Sequence, residues 1–457
     1  LRSLVGSEMC IRDREKCSLV KYLSSTVDNQ HCKKVFSFLA TLIYWSGSFH
    51  STCKEDEMKK FLINARYYLA PLLILASLFG VIAGGPWVWT GVFLLGVGII
   101  VDTVTPAQTM GAGFDDDGET NANATLHNLT MYSMLILFVM IQIAIAWRIF
   151  QYVNGIEYTG ATSTFLGMAY YTGITGAQLV GAVVSSGIFA GIGIIYGHEL
   201  AHTKGFSFII ARWMMALSGA SHFCYAHVYN HHLELGCQND PATAPRGRSL
   251  YAHLPKSHFG QSKFLYTMEK QRLKRLGVPF LSWQNRWIRG YAMSLPTIAL
   301  FWFAGAWTGL ACMALIWLIS NFELEALNYL EHYGLIRETG SPIDYRHSWD
   351  NSTLFTSWFF IEIGRQADHH DRGETHFWEL DEVGAPNCGN GYFTLFALAL
   401  VPPLFHKYMN KQLAKWDNEE ASEGELKIAS DMNKICLLYT SDAADDLLCV
   451  DLGGRRI

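Results

Sequence analysis

Five stretches of the chain are almost continuously apolar, at about 67–84, 86–101, 131–150, 176–196 and 291–327. The first four are close to the roughly 20 residues that a helix needs to cross a bilayer core about 30 Å thick. The fifth is too long for one crossing. It is interrupted at "AGAWTG" (304–309), and so predicts two helices joined by a tight uncharged turn. Six transmembrane helices follow. Pro71 and Pro296 fall near predicted helix starts, where a missing N–H is tolerated. The run at 35–45 is too short to span.

Charge between the runs orients them. Lys59, Lys60 and Arg66 precede the first, and the segment 204–290 carries twelve lysines and arginines from Lys204 to Arg289, while "GGP" (84–86) and "AGAWTG" carry none. By the positive-inside rule the start of the first helix and the segment 204–290 face the cytoplasm. Counting crossings places His198 and His332 on that same side. The polar loop 102–130, with Asp115, Asp116 and Asp117, also falls there; it reads as a solvated loop, with a lid over the cytoplasmic site as the sharper alternative.

The two ends lack any such pattern. Residues 1–57 read as a non-native or disordered leader, 58–420 as the membrane domain, and 421–457 as a tail, non-native from about 435. Composition agrees with a membrane protein: 50% of residues are hydrophobic and only 16% charged, against about 25% charged in soluble domains. A net charge of −5 gives no footprint for nucleic acid. Of the ten cysteines, Cys224, Cys237, Cys312 and Cys388 lie in the patterned region and form no CxxC pair, so neither a disulfide framework nor a thiolate metal site is indicated.

The histidines change the picture most. "GHELAHT" holds His198 and His202, an i,i+4 pair on one helical face. "HVYNHH" holds His227 and His231 at the same spacing, with His232 about 100° round and able to reach a second metal. "NYLEHYGL" adds His332, and "GRQADHH" adds His369 and His370. One interfacial histidine is ordinary. Eight from distant segments, all on one predicted membrane face, make a metal site. Imidazole suits iron, copper, zinc and nickel alike. Eight ligands exceed the coordination of one ion, so two ions fit, and two irons would permit dioxygen activation with electrons from outside. Glu199, Glu331 and Asp368, and further off Glu234, Asp240 and Asn328, are candidates for orienting the ligands, since a bound imidazole commonly donates its other N–H. The remaining histidines, His222 and His258 among them, show no cluster spacing; His347 reads as structural or as a neighbour of the ligands.

"HELAHT", "HVYNHH" and "NYLEHYGLIRE", with "CQNDPATAPRGRSLY" and "GYFTLFALALVPPLF", resemble the boxes of the integral-membrane alkane 1-monooxygenases, within the membrane fatty-acid desaturase/hydroxylase superfamily. The resemblance runs from about Met58 to about 420. It implies an all-α fold of six transmembrane helices with a cytoplasmic His-rich cap, two non-haem iron ions held by histidines, a hydrophobic substrate entering from the bilayer, and a rubredoxin-type electron donor with its reductase. In that family the last box carries a histidine three residues before the HH pair. Here Gln366 stands there, a neutral and weaker donor through its amide oxygen, so a weak ligand or an open position filled by water is expected.

The expected activity is therefore hydroxylation of the terminal methyl of an alkane. An acyl-chain desaturase or a methyl-aromatic hydroxylase of the same fold is the near alternative. A His-rich metal transporter is the alternative from another class, disfavoured because transporters hold ions near the bilayer midplane.

Overall fold

The computed structural model describes residues 61, 63–107, 122–165 and 167–440. The predicted leader 1–57, the run 35–45, the acidic run Asp115–Asp117 and the tail beyond 440 lie outside the described residues.

The molecule is mostly helical. The helices that position the site are α1 (Leu69–Ala83), α2 (Thr90–Val104), α3 (Ala124–Val153), α4 (Gly176–Ala201), α5 (Phe206–Leu217), α6 (Leu250–Arg275), α7 (Leu295–His332), α8 (Gln366–Asp371), α9 (Tyr392–Ala399), α10 (Pro402–Glu419) and α11 (Glu423–Thr440). Among the described residues five helical stretches are long and apolar enough to cross a membrane: Ile63–Ala83, Gly85–Val104, Ala124–Val153, Gly176–Ala201 and Arg286–His332. The third begins seven residues earlier than the apolar run at 131, because Asn123 caps it: its Oδ1 accepts the Leu126 N–H at 3.0 Å. α4 opens on a capping box, in which Thr175 and Gln178 exchange side-chain and backbone hydrogen bonds.

The last stretch is bent where the sequence predicts a turn. Gly305 (φ −170°, ψ 27°) and Ala306 (φ 45°, ψ −124°) leave the helical region. A Cβ at Gly309 would collide with the Phe301 carbonyl oxygen. Residues eight apart in a straight helix are about 12 Å distant, so the chain folds back on itself here.

The all-α expectation needs one amendment. Thr162–Phe165 and Met168–Tyr171 form an antiparallel hairpin, Thr162 facing Tyr171 and Ser163 facing Tyr170. It lies between α3 and α4, so it joins the end of α4 opposite the histidines.

α4 is the buried axis of the fold, with nearly every residue from Leu179 to Ala201 inside. It packs side by side with α7. Gly187 and Gly191 face Ile319 and Glu323, and a Cβ at either glycine would come within 2.8 Å of the opposing side chain. Small residues four apart let two apolar helices approach closely where no water-driven force holds them together. Both helices run toward the same end of the bundle, where α4 ends beside His198 and α7 on His332.

Candidate metal centre

The eight histidines singled out in the sequence meet at that end and divide into two groups. His198, His202, His227, His232 and His369 form one; His231, His332 and His370 form the other. Within each group the ligand atoms all lie within 4.8 Å of one another. In the first, His198 Nε2 is 2.7 Å, His202 Nε2 3.1 Å and His232 Nε2 3.0 Å from His227 Nε2. Two imidazole nitrogens bound side by side to one ion at about 2.0–2.1 Å would sit roughly 3 Å apart. In the second, the three ring centroids form a near-equilateral triangle with sides of 4.8, 4.9 and 5.0 Å. The groups adjoin, for the rings of His232 and His370 are 4.3 Å apart.

The partition differs from the one read off the sequence. His227 and His231 were expected to share a face, with His232 turned to a second metal. The segment His227–His231 is instead a π-helical turn. Its wider winding aligns residues five apart, so His227 and His232 converge and His231 is delivered to the other group. α8 divides its neighbours in the same way: His369 joins the first group and His370 the second.

The donors suit a metal. His369 Nε2 and both ring nitrogens of His370 are buried without a hydrogen-bond partner, a costly state unless something else takes the lone pair. Burial first, and then the neighbouring imidazoles, push His202, His227, His232 and His370 well below the usual imidazole range; burial and His231 bring His369 to about 4. The rings are therefore neutral, as ligation requires.

Their surroundings fix them. His231 Nδ1–H donates to Asp240 Oδ2 at 2.7 Å, and the same carboxylate accepts Thr243 Oγ1–H at 2.7 Å and the Ala242 N–H at 3.0 Å. Glu199 Oε1 accepts the Phe377 N–H at 3.1 Å. Asp368 turns away from the histidines to a bidentate pairing with Arg372 and the Asp381 N–H. Asn328 Nδ2 donates to Glu325 at 3.1 Å, and Glu234 sits half-buried on the short turn after His232. Glu331 and Gln366 share a side-chain hydrogen bond, and Gln366 Nε2 also donates to the Ile363 carbonyl at 2.8 Å. His347 is structural: Nε2–H donates to Glu425 at 2.7 Å and Nδ1 accepts the Asp344 N–H.

α8 is held from below. Glu362 takes Arg66 at 3.3 Å, Arg365 at 3.1 Å and the Tyr67 hydroxyl at 3.0 Å, all buried. Ile361 (φ 46°) and Glu362 (φ 57°) both adopt the left-handed region, which is strained for a β-branched residue and is found where structure serves a site.

Two cavities lie side by side near the first group. One, almost wholly apolar, is walled by Leu95, Ile192, Ile195, Leu327, Phe360 and Phe393 among others. The second is lined by Ile195, His198, Glu199, Ile361 and His369. Ile195 borders both and stands one helical turn before His198.

A third group, His222, His258 and Glu325, also brings its ligand atoms within 4.8 Å. Sequence spacing gives no signal for it, because the three residues come from separate segments and contribute one side chain each.

A family model described as "Fatty acid desaturase" matches residues 175–398. The chain is 32% identical over 254 residues to an alkane 1-monooxygenase of Acinetobacter baylyi, covering 53% of this chain and 61% of that protein. It is 30% identical over 246 residues to alkane 1-monooxygenase 1 of Pseudomonas aeruginosa, covering 51% and 63%. A xylene/toluene monooxygenase hydroxylase component, XylM, of Pseudomonas putida is 28% identical over 375 residues, 81% of this chain and 94% of that protein. The chain thus spans less than two thirds of the length of these two alkane monooxygenases.

Proposed function

We infer that the chain belongs to the alkane 1-monooxygenase family within the membrane fatty-acid desaturase/hydroxylase superfamily, and that it hydroxylates an unactivated C–H bond at a histidine-held pair of irons. His198, His202, His227, His232 and His369 would hold one iron and His231, His332 and His370 the other. Gln366 stands beside the ligands rather than among them, its amide nitrogen turned to the Ile363 carbonyl and its side chain to Glu331. Bound there, the irons supply dioxygen activation: one oxygen atom enters the C–H bond, the other leaves as water, and two electrons and two protons come from a small redox protein of the rubredoxin type and from solvent.

The observation that carries this reading is the adjacency of an apolar cavity to the space lined by His198 and His369, the two sharing Ile195 as a wall. A hydrocarbon offers no polar handle, so selection rests on shape. The cavity walls exclude water and point one end of a chain toward His198 and His369. Asp240 holds the His231 ring in the tautomer that frees Nε2. The fold-back at Gly305–Ala306 divides the last apolar stretch into two crossings, giving six in all, with the basic segment 204–290 and the metal centre on the cytoplasmic face of an inner membrane.

A second reading, oxidation of a methyl group on an aromatic ring, is favoured by the match to the xylene/toluene monooxygenase component along nearly its whole length. Membranes containing the protein, supplied with reductant, labelled dioxygen and a panel of octane, hexadecane, palmitate and xylene, decide between them. Label in a primary alkanol supports the first reading, and label in a benzylic alcohol the second. An unsaturated acyl product without label would overturn both.

A further inference from the structure

The apolar cavity contains one charge-bearing side chain. Glu323 lines it among Leu95, Ile188, Ile192, Leu327 and Phe396. Its carboxyl makes no hydrogen bond or ion pair among the described residues; it is packed against Gly191, where any Cβ would strike it. An ionisable group inside a membrane-spanning helix, facing a cavity rather than lipid, marks a binding function more often than a structural one. Among the described residues the other polar side chain in the lining is Tyr392, whose buried hydroxyl equally has no partner there. A cavity shaped only for alkanes gains nothing from either group, since each leaves hydrogen-bonding capacity unmet in apolar surroundings.

Position adds a length. The Glu323 carboxyl packs against Gly191, which precedes His198 by seven residues on α4, a rise of roughly 10 Å. An extended chain on the order of ten carbons covers that span.

We propose that this cavity binds an aliphatic chain bearing a hydroxyl group, with Glu323 accepting the hydroxyl hydrogen at one end while the far methyl reaches the histidine centre. This rests on the hydroxylase reading and narrows its substrate class from plain alkanes to monohydroxylated chains, which would leave as diols. The reaction consumes one dioxygen, two electrons from the redox donor and two protons, and yields one diol and one water. A reaction that supplies primary alcohols must precede it.

The test compares 1-decanol with decane, using membranes that contain the wild-type protein, Glu323→Leu or Glu323→Gln, each normalised to its metal content. The expected result is wild-type preference for 1-decanol, a loss of about tenfold in kcat/KM for 1-decanol in Glu323→Leu with a clearly smaller effect on decane, and partial retention in Glu323→Gln, whose amide oxygen still accepts. Equal effects of Glu323→Leu on both substrates, or none on either, overturn the proposal. Thermal stabilisation of the wild-type protein by 1-decanol and by decane gives a readout free of catalysis: a larger shift with 1-decanol supports the proposal, and equal shifts overturn it. A wild-type protein that is stabilised by 1-decanol yet oxidises neither substrate would remove the hydroxylase reading while leaving the hydroxyl subsite standing.

Discussion

His231 Nδ1 and Asp240 Oδ2 are 2.7 Å apart, and that carboxylate is itself fixed by Thr243 and the Ala242 N–H. The contact decides which ring nitrogen of His231 faces His332 and His370. Asp240→Asn removes the acceptor charge and leaves the ring free to turn. Outer partners of this kind are typically worth 10–100-fold in metal affinity, so the variant should release one ion to a competing chelator at about that lower concentration while the other stays bound. Identical release curves for the two proteins would remove the role assigned to Asp240.

Much of this arrangement is legible in the sequence, and the exceptions have physical reasons. All eight histidines meet at one end, as a crossing count from charge and hydropathy requires. Nearness in the sequence also puts Asp240 among six candidate neighbours of the ligands, without singling it out. Spacing does not give the partition of the ligands, because an α-helical face was assumed for His227–His231 and a π-turn shifts the period by one residue. The hairpin at 162–171 escapes notice because four-residue strands carry too little alternation to be seen. His222, His258 and Glu325 are brought together by packing between α6, α7 and the segment before His227, a relation that local pattern does not encode. Glu323 is hidden in the sequence for a different reason: one acidic residue in an apolar run looks like a tolerated exception until its cavity is seen.

A second ion pair holds the tail helix. Glu425 accepts from His347 at 2.7 Å and from Arg346 at 3.3 Å. Burial works against its charged form, but the hydrogen bonds from His347, the Ser422 N–H and Arg346 prevail and bring its carboxyl from 4.5 to about 2. A carboxylate depressed in the folded state stabilises above its unfolded value, and that contribution is lost as pH falls. Docking of α11 should therefore weaken between about pH 4.5 and pH 2. Glu425→Gln should lower stability at neutral pH by about 1–3 kcal/mol and flatten the profile across that acid window. Amide exchange in residues 423–431, followed against pH, checks both expectations.

Ile195 is shared by the apolar cavity and the space beside His198. Enlarging it should close the passage without touching a ligand. Ile195→Phe is expected to leave metal content unchanged and to reduce turnover of hexadecane more than of octane, because the longer chain needs the whole length. Overpacking a filled site costs about 1–3 kcal/mol, so folding should survive at growth temperature. Parallel loss on both substrates, with metal retained, would place the substrate path elsewhere.

Gln366 occupies the place where a ninth histidine is expected, and its contacts explain why a glutamine serves. Its amide nitrogen donates to the Ile363 carbonyl at 2.8 Å, its side chain also meets the Glu331 carboxyl, and the residue is only 2% exposed. These contacts tie the start of α8 to the last turn of α7, and so set His369 and His370 against His332. Histidine at 366 cannot reproduce an amide that reaches both partners, and leucine leaves Glu331 without its donor. Gln366→Leu should therefore lower thermal stability by about 1–3 kcal/mol, the usual cost of stranding a buried polar group. Gln366→His should cost less and leave the number of bound ions unchanged. Metal titration of the two variants beside the wild-type protein separates a tie between helices from a ligand position: a marked gain in affinity for Gln366→His would mean that this side chain looks at the ion after all.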